Sequence, residues 1–248
     1  MTRRKITLAK ALALELAQIQ QPIVSSFQLG CLIFNAYQAN QVAGEDLGLK
    51  KIVPNKTQYL RALHELTSNG ILSSVPGLSE RFFKVIGKSD ATPDELICSV
   101  DPFCYISHLS AMEYHGITDR LPRTIFVSSP PPAAWKTYAT EFMARELGSQ
   151  LEQYLELGFP QLFRSHPKKI SGKIIEYKSS SHLGAFKNVQ GSSLRVSTIG
   201  RTFLDMVRDP NLCGGIQHVI DVYKEYAKPY LRLIVDEVDM HGNGIEKA

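Results

Sequence analysis

The sequence predicts an α+β protein made of two domains. Three observations carry that expectation. Apolar residues recur at helical spacing over residues 7–39 and 55–69. Short β-branched and aromatic runs bounded by turn residues occupy 71–86, 123–128, 173–178 and 194–197. The polar stretch Lys88-Ser89-Asp90-Ala91-Thr92-Pro93-Asp94 breaks the pattern between them. The expected division is therefore residues 1–90 and residues 91–248.

In chain order, Leu8, Leu12, Leu16 and Ile19 predict a helix over 7–20. Pro22 and then Ser25-Ser26 mark a break and a new helix start. That second helix runs to about Ala39, with Phe27, Cys31 and Phe34 along one side. Gly44-Glu45-Asp46-Leu47 opens a short segment, read as helical, over 44–50. Pro54 leads into a helix over 55–69 that stops at Asn69-Gly70. Tyr59, Leu60, Leu63 and Leu66 share one face of it; Thr57, Gln58, Arg61, His64 and Glu65 share the other. Residues 71–75 and 81–86 flank the turn Pro76-Gly77 as a β-ribbon. Helix, turn, helix, two-stranded wing is the order of a winged helix-turn-helix, a module that usually reads DNA.

The rest mixes types: a helix over 107–115, a strand over 123–128 ended by Pro130-Pro131-Pro132, and one long helix over 133–157 with a break at Gly148. Strands follow at 173–178 and 194–197. Thr198 or Ser197 caps a helix through Val207. Gly214-Gly215 precedes a helix over 216–226, and Pro229 leads into a last one over 231–240. The expected architecture is an N-terminal winged helix-turn-helix followed by a mixed α/β domain.

Composition narrows the function. With 44% hydrophobic and 21% charged residues, the chain is neither disordered nor membrane-like. Lys10 and Glu15 interrupt the first apolar stretch, which argues against a signal peptide and for a cytoplasmic protein. Residues 1–90 carry 11 Lys and Arg against 6 Asp and Glu; the remainder carry 17 against 18. The positive excess thus sits with the expected DNA-binding domain, where it favours phosphate contact. Cys31, Cys98, Cys104 and Cys213 form no C-x-x-C pair and no zinc spacing, so reduced thiols and no metal or cofactor are expected.

Candidate DNA contacts follow from this layout. Thr57, Gln58 and Arg61 offer hydroxyl, amide and guanidinium groups to base edges. Asn55 and Lys56, with Lys50 and Lys51 before them, are placed for phosphates. Arg81 and Lys84 lie on the wing, and Arg3 and Arg4 form a basic arm.

The second half carries a recognisable pattern. The run from Tyr105-Ile106-Ser107-His108 through Ser110-Ala111 to His115-Gly116-Ile117-Thr118 resembles a segment of AbiEi-type antitoxins. Val196-Ser197-Thr198-Ile199-Gly200-Arg201-Thr202-Phe203-Leu204-Asp205 is similar to that family's V-S-T-P-E-R-T-L-L-D segment, departing at Ile199-Gly200 where Pro-Glu is usual. Gly214-Gly215 follows at the family's distance. The resemblance covers most of the chain, although such proteins often continue into another helix beyond residues 241–245, which suggests a shortened form. It implies a non-enzymatic regulator of a type IV toxin–antitoxin pair. The first domain would bind inverted repeats of double-stranded DNA in its own promoter. The second would counter a nucleotidyltransferase-like toxin without a stable complex. It also makes Arg201, Thr202 and Asp205 the candidate antitoxin residues.

Two alternatives stand beside this. Glu176-x-Lys178 on a strand matches half of a metal-dependent nuclease signature, but the Asp expected one strand earlier is missing. The winged helix can also serve as a protein-docking module. His108 and His115 lie seven apart on one helix without a third ligand, so His115 is read as serving the helix end. Arg201 and Asp205 are four apart on one helix and are expected to pair.

Overall fold

The computed structural model describes residues 5–42, 45–49, 53–88, 90–180 and 185–247. It is a mixture of helices and strands divided into two units. The first comprises Met1–Ala91 together with Lys136–Ser165; the second comprises Thr92–Trp135 and His166–Ala248.

The first unit begins with α1 (Leu8–Gln18), whose N-terminus Thr7 caps. A three-residue strand β1 (Ile23–Ser25) runs directly into α2 (Ser26–Ala39). Ser25 and Gln28 form a reciprocal capping box there, each side chain satisfying the other's backbone N–H. Asn40, left-handed at φ 50°, ends α2. Residues 45–46 are not helical as expected. They form β3 (Glu45–Asp46), antiparallel to β2 (Gln41–Val42). The segment is too short to repay helix nucleation, and Gly48 at φ 61° turns the chain immediately after it. Gln41 Nε2 and Ile6 N both donate to Asp46 instead. Gly44 and Lys50, at the ends of the expected segment, lie outside the described residues.

Then come α3 (Lys56–Ser68), β4 (Leu72–Ser74) and β5 (Phe82–Val85). The strands form an antiparallel sheet in the order β1-β5-β4, with Lys84 of β5 opposite both Ile23 and Ser73. The buried side of α3 is Tyr59, Ala62 and Leu66; Leu60, expected on that side, is exposed.

Next the chain makes α4 (Pro93–Val100), β6 (Tyr105–Ile106), α5 (His108–Tyr114) and β7 (Thr124–Ser129). It then forms α6 (Pro132–Leu147), a 3-10 turn at Gly148–Gln150 and α7 (Leu151–Glu156). The domain division therefore differs from the continuous cut expected at residue 90. Met143, Leu147, Tyr154 and Phe159 enter the same core as Leu12, Leu16, Phe27, Phe34, Tyr59 and Leu66. Tyr154 and Phe159 stack edge-on against Phe34, and the Tyr154 hydroxyl donates to the Pro160 carbonyl. Gly30 is required by this packing, because a Cβ there would collide with the Tyr154 hydroxyl. The bend at Gly148, left-handed at φ 53°, lets α6 and α7 turn.

The second unit continues with β8 (Lys169–Ile170), β9 (Lys173–Ser179), β10 (Phe186–Asn188), β11 (Arg195–Ser197) and α8 (Ile199–Arg208). A 3-10 turn at Pro210–Cys213 leads to α9 (Ile216–His241). The six-stranded sheet has the order β10-β11-β6-β7-β9-β8, with β6–β11 and β7–β9 parallel and the other pairs antiparallel. Thr198 caps α8, which is buried from Gly200 to Met206. The two helices expected around Pro229 are one continuous helix. Pro229 faces outward, where water can satisfy the carbonyl it leaves unpaired, and packing of Val222, Tyr223, Tyr230 and Ile234 with Phe203 and Met206 outweighs the break. No helix among the described residues is long and apolar enough to cross a membrane.

Candidate functional site

The sequence-predicted DNA residues separate on the first unit. Asn55 is the N-cap of α3: its Oδ1 accepts from Thr57 N at 2.9 Å and Gln58 N at 3.4 Å. The Gln58 Oε1 accepts from Asn55 N at 3.0 Å. Both polar side chains therefore serve the helix terminus, which engages the Gln58 amide oxygen expected to face base edges. Lys56 and Thr57 remain exposed beside them. The Arg61 side chain is 81% exposed and makes a surface pair with Glu65 at 3.1 Å, an attraction that holds it only weakly.

Two concavities flank α3. Gln58, Arg61, Ala62 and Glu65 line one with Thr7, Leu8, Tyr37 and Leu49. Lys56, Tyr59, Leu60 and Leu63 line the other, a groove of about 1280 Å³ closed by residues 79–81 and by residues 158–164. In that groove Arg81 lies over the Phe163 ring at 4.7 Å, a cation–π contact. Arg164 lines the same groove, a basic residue far from α3 in sequence that no local pattern singles out. Lys84 sits instead mid-strand in the central strand of the sheet, half-buried, away from the turn at Pro76-Gly77. Arg3, Arg4, Lys50 and Lys51 lie outside the described residues. The first unit holds fourteen basic against ten acidic residues and the second fourteen against fourteen, so the excess stays with the first unit under the observed division.

The second unit contains a polar cleft of about 380 Å³ lined by His108, Ser128, Lys178, Ser179, Ser180, Arg201, Asp205, Arg208, Asp209, Asn243 and Glu246. Arg201 Nε donates to Asp205 Oδ1 at 2.7 Å, and both side chains are almost fully buried. Arg201 Nη1 lies 4.0 Å from Glu237 Oε1, beyond hydrogen-bond range. Thr202, the third candidate, is wholly buried and bonds Ser197 Oγ and the Thr198 carbonyl, which makes it part of the helix start. His108 occupies the left-handed region at φ 51°, a strained conformation for a residue with a side chain. Its Nδ1 is 2.8 Å from Ser107 Oγ, which accepts from Ser128 Oγ at 2.9 Å. Ser107 can either donate to Nδ1 or accept from it, whereas the Asp209 carboxylate facing Nε2 can only accept, which favours the ring proton at Nε2. Nε2 lies 3.5 Å from Asp209 Oδ2, an ion-pair distance too long for a good hydrogen bond. Asp209 Oδ1 accepts from Lys178 at 2.6 Å, and Arg208 holds Glu246 through two donors.

No protein-family model matches this chain, and no curated protein matches it at a significant level.

Burial sets the electrostatics of the cleft. It pushes the Asp205 carboxyl above its usual range despite Arg201 beside it, and it pushes the His108 imidazole below its own. Burial also works against ionisation of Asp209, but Lys178 and His108 together outweigh it and hold that carboxyl low. Glu237 is raised by burial. Among the described residues His108 Nε2, Arg201 Nη1, Asp205 Oδ2 and Glu237 Oε1 are buried and find no hydrogen-bond partner.

Of the other sequence candidates, Glu176 is exposed on β9 and does not line the cleft, whereas Lys178, two residues on, does. Among the described residues no group of three or more His, Cys, Asp or Glu is placed to hold a metal ion. His115 Nε2 lies 2.8 Å from the Ser197 carbonyl and must be its donor, which ties the end of α5 to β11. Asp209 closes α8 as its C-cap, but only folding brings it beside His108 and Lys178, and only folding brings Glu237 beside α8, so neither carries a signal in the sequence. Packing selects glycine at position 200: a Cβ there would run into the Leu233 carbonyl, so α8 and α9 meet backbone to backbone.

Proposed function

We propose that this protein is a DNA-binding transcription regulator whose first unit is a winged helix. The observation that carries the reading is topological. Apart from the short β2–β3 hairpin between α2 and α3, the unit runs helix, strand, helix, helix, strand, strand, with β1 paired beside β5 in a β1-β5-β4 sheet, an order that resembles winged-helix modules. Support also comes from α3, which is doubly capped and exposes Lys56, Thr57, Leu60, Arg61 and His64, and from the positive excess of its unit. The proposed contacts are Thr57 and Arg61 to bases and Lys56, Arg81 and Arg164 to phosphates. The resemblance of the second unit to AbiEi-type antitoxins supports assigning the chain to the autoregulation of a toxin–antitoxin pair, with no catalytic step of its own.

The test is binding of the full chain to the DNA upstream of its own reading frame, read by gel shift and by fluorescence anisotropy. Thr57→Ala with Arg61→Ala should cost about 1–3 kcal/mol of discrimination for each base pair that these side chains read. Undiminished sequence-specific binding by that double variant sinks the assignment of α3 as the reading helix. For the antitoxin role, coexpression should relieve the growth arrest caused by a nucleotidyltransferase-like protein from the neighbouring reading frame; persistent arrest removes it.

A further inference from the structure

We propose that the polar cleft of the second unit is a binding site for a small zwitterion, an α-amino acid carrying adjacent ammonium and carboxylate groups. The inference is independent of the DNA-binding reading. It starts from atoms that lack partners. His108 and Asp205 line the cleft, are 1% and 2% exposed, and among the described residues find no hydrogen-bond partner for Nε2 and Oδ2. Unsatisfied buried polar atoms of this kind are costly, and a native chain retains them where something else completes them. His108 is in addition held in a left-handed backbone conformation, strain of the sort that accumulates at ligand sites.

The lining decides the class of ligand. Among the described residues the side chains facing the cleft are charged, hydroxyl, amide or imidazole, with no aliphatic or other aromatic residue among them. A nucleobase or another flat apolar ligand would find no surface to stack on. Cations and carboxylates alternate: Lys178 with Asp209, Arg201 with Asp205, Arg208 with Glu246. A lone anion would meet carboxylates at every cation, and a lone cation would meet an ammonium or guanidinium group at every carboxylate. A molecule that bears both signs a few ångströms apart matches the walls. Its ammonium would donate to Asp205 Oδ2, and its carboxylate would accept from His108 Nε2 and Lys178. A cleft of about 380 Å³ fits such a molecule.

Isothermal titration of the full chain with each of the twenty L-amino acids tests this. Inorganic phosphate, mononucleotides and glucose form the comparison arms. At least one amino acid should bind with one-to-one stoichiometry. The amine lacking its carboxylate, and the acid lacking its ammonium, should each bind at least tenfold more weakly. Lys178→Ala, at a partly exposed position, should weaken binding at least tenfold with the circular dichroism spectrum unchanged. Asp205→Asn, which removes the carboxylate charge that would meet the ammonium, provides a second variant should the first fail to fold, and it should weaken binding at least tenfold as well. Binding of none of the amino acids overturns the proposal. So does binding of phosphate, nucleotides or glucose alone, or amino-acid affinity that the folded variants leave intact.

Discussion

Asn55 shows how one side chain's local duty overrides a functional reading. Asparagine next to lysine at a helix start suggests phosphate contact, but its Oδ1 already serves two backbone donors. Asn55→Ala should therefore lower stability by about 1 kcal/mol, the usual effect of removing a helix cap, seen as a reduced urea midpoint. Lys56→Ala, exposed and uncommitted to the cap, should leave the midpoint unchanged. It should weaken DNA binding equally for all sequences and flatten the salt dependence by about one counterion. A Lys56→Ala effect confined to one sequence contradicts the phosphate assignment. His108 makes a second residue-scale prediction. Its folded pKa lies below the usual 6.5, so the unfolded chain binds protons more readily. The resulting stability is present above pH 6.5 and is lost as pH falls below it, by at most ~1.4 kcal/mol per pH unit for one group. His115 and His218 shift in the same direction, so His108→Asn should reduce the slope of stability between pH 5.5 and 6.5 without abolishing it. Asparagine tolerates the left-handed backbone, which keeps the comparison clean. An unchanged slope in urea melts contradicts the assignment. Asp205 runs the other way: its raised pKa gives stability at low pH that fades as pH rises above about the usual carboxylate value.

Elements were legible where their signals are local. The starts of α2, α3 and α8 carry Ser25, Asn55 and Thr198 as caps, and each cap acts within three residues. The bend at Gly148 was readable for the same reason, since a left-handed position selects glycine. Strand β1 was not, because three residues that extend only to pair with β5 carry no period of their own. Nor was the unbroken α9. Proline argues for a break, and the apolar side that overrules it is paired with α8, a helix fifteen and more residues earlier in the chain. The α8–α9 contact yields an element-scale prediction. Gly200→Ala forces the added methyl onto the Leu233 carbonyl and should destabilise the second unit by about 1–3 kcal/mol, typical of overpacking. A thermal midpoint equal to that of the unsubstituted protein would show that the helices can separate freely.

At the scale of the whole molecule, the discontinuous first unit is the main departure from the order expected of the sequence. A fragment ending at Ala91 leaves Phe27, Phe34 and Tyr59 without Tyr154 and Phe159, against which they pack. It should melt non-cooperatively and bind hydrophobic dyes. Joining residues 136–165 to it through a flexible linker should restore a cooperative transition; a fragment that folds cooperatively alone counts against the shared core. In the full chain, Phe159→Ala should cost about 3–5 kcal/mol of the first unit's stability. The linear order of residues was enough to specify the α+β class, the capped helices, the charged N-terminal third and the Arg201–Asp205 pair, because each depends on neighbours within one helical turn or on a plain count. Folding alone settled that residues 136–165 complete the N-terminal core, that Gln58 is consumed by a cap, and that His108, Lys178, Asp205 and Asp209 converge on one cleft. Those outcomes depend on side chains tens of residues apart competing for the same buried space and the same hydrogen-bonding partners, and no local pattern records which of them meet.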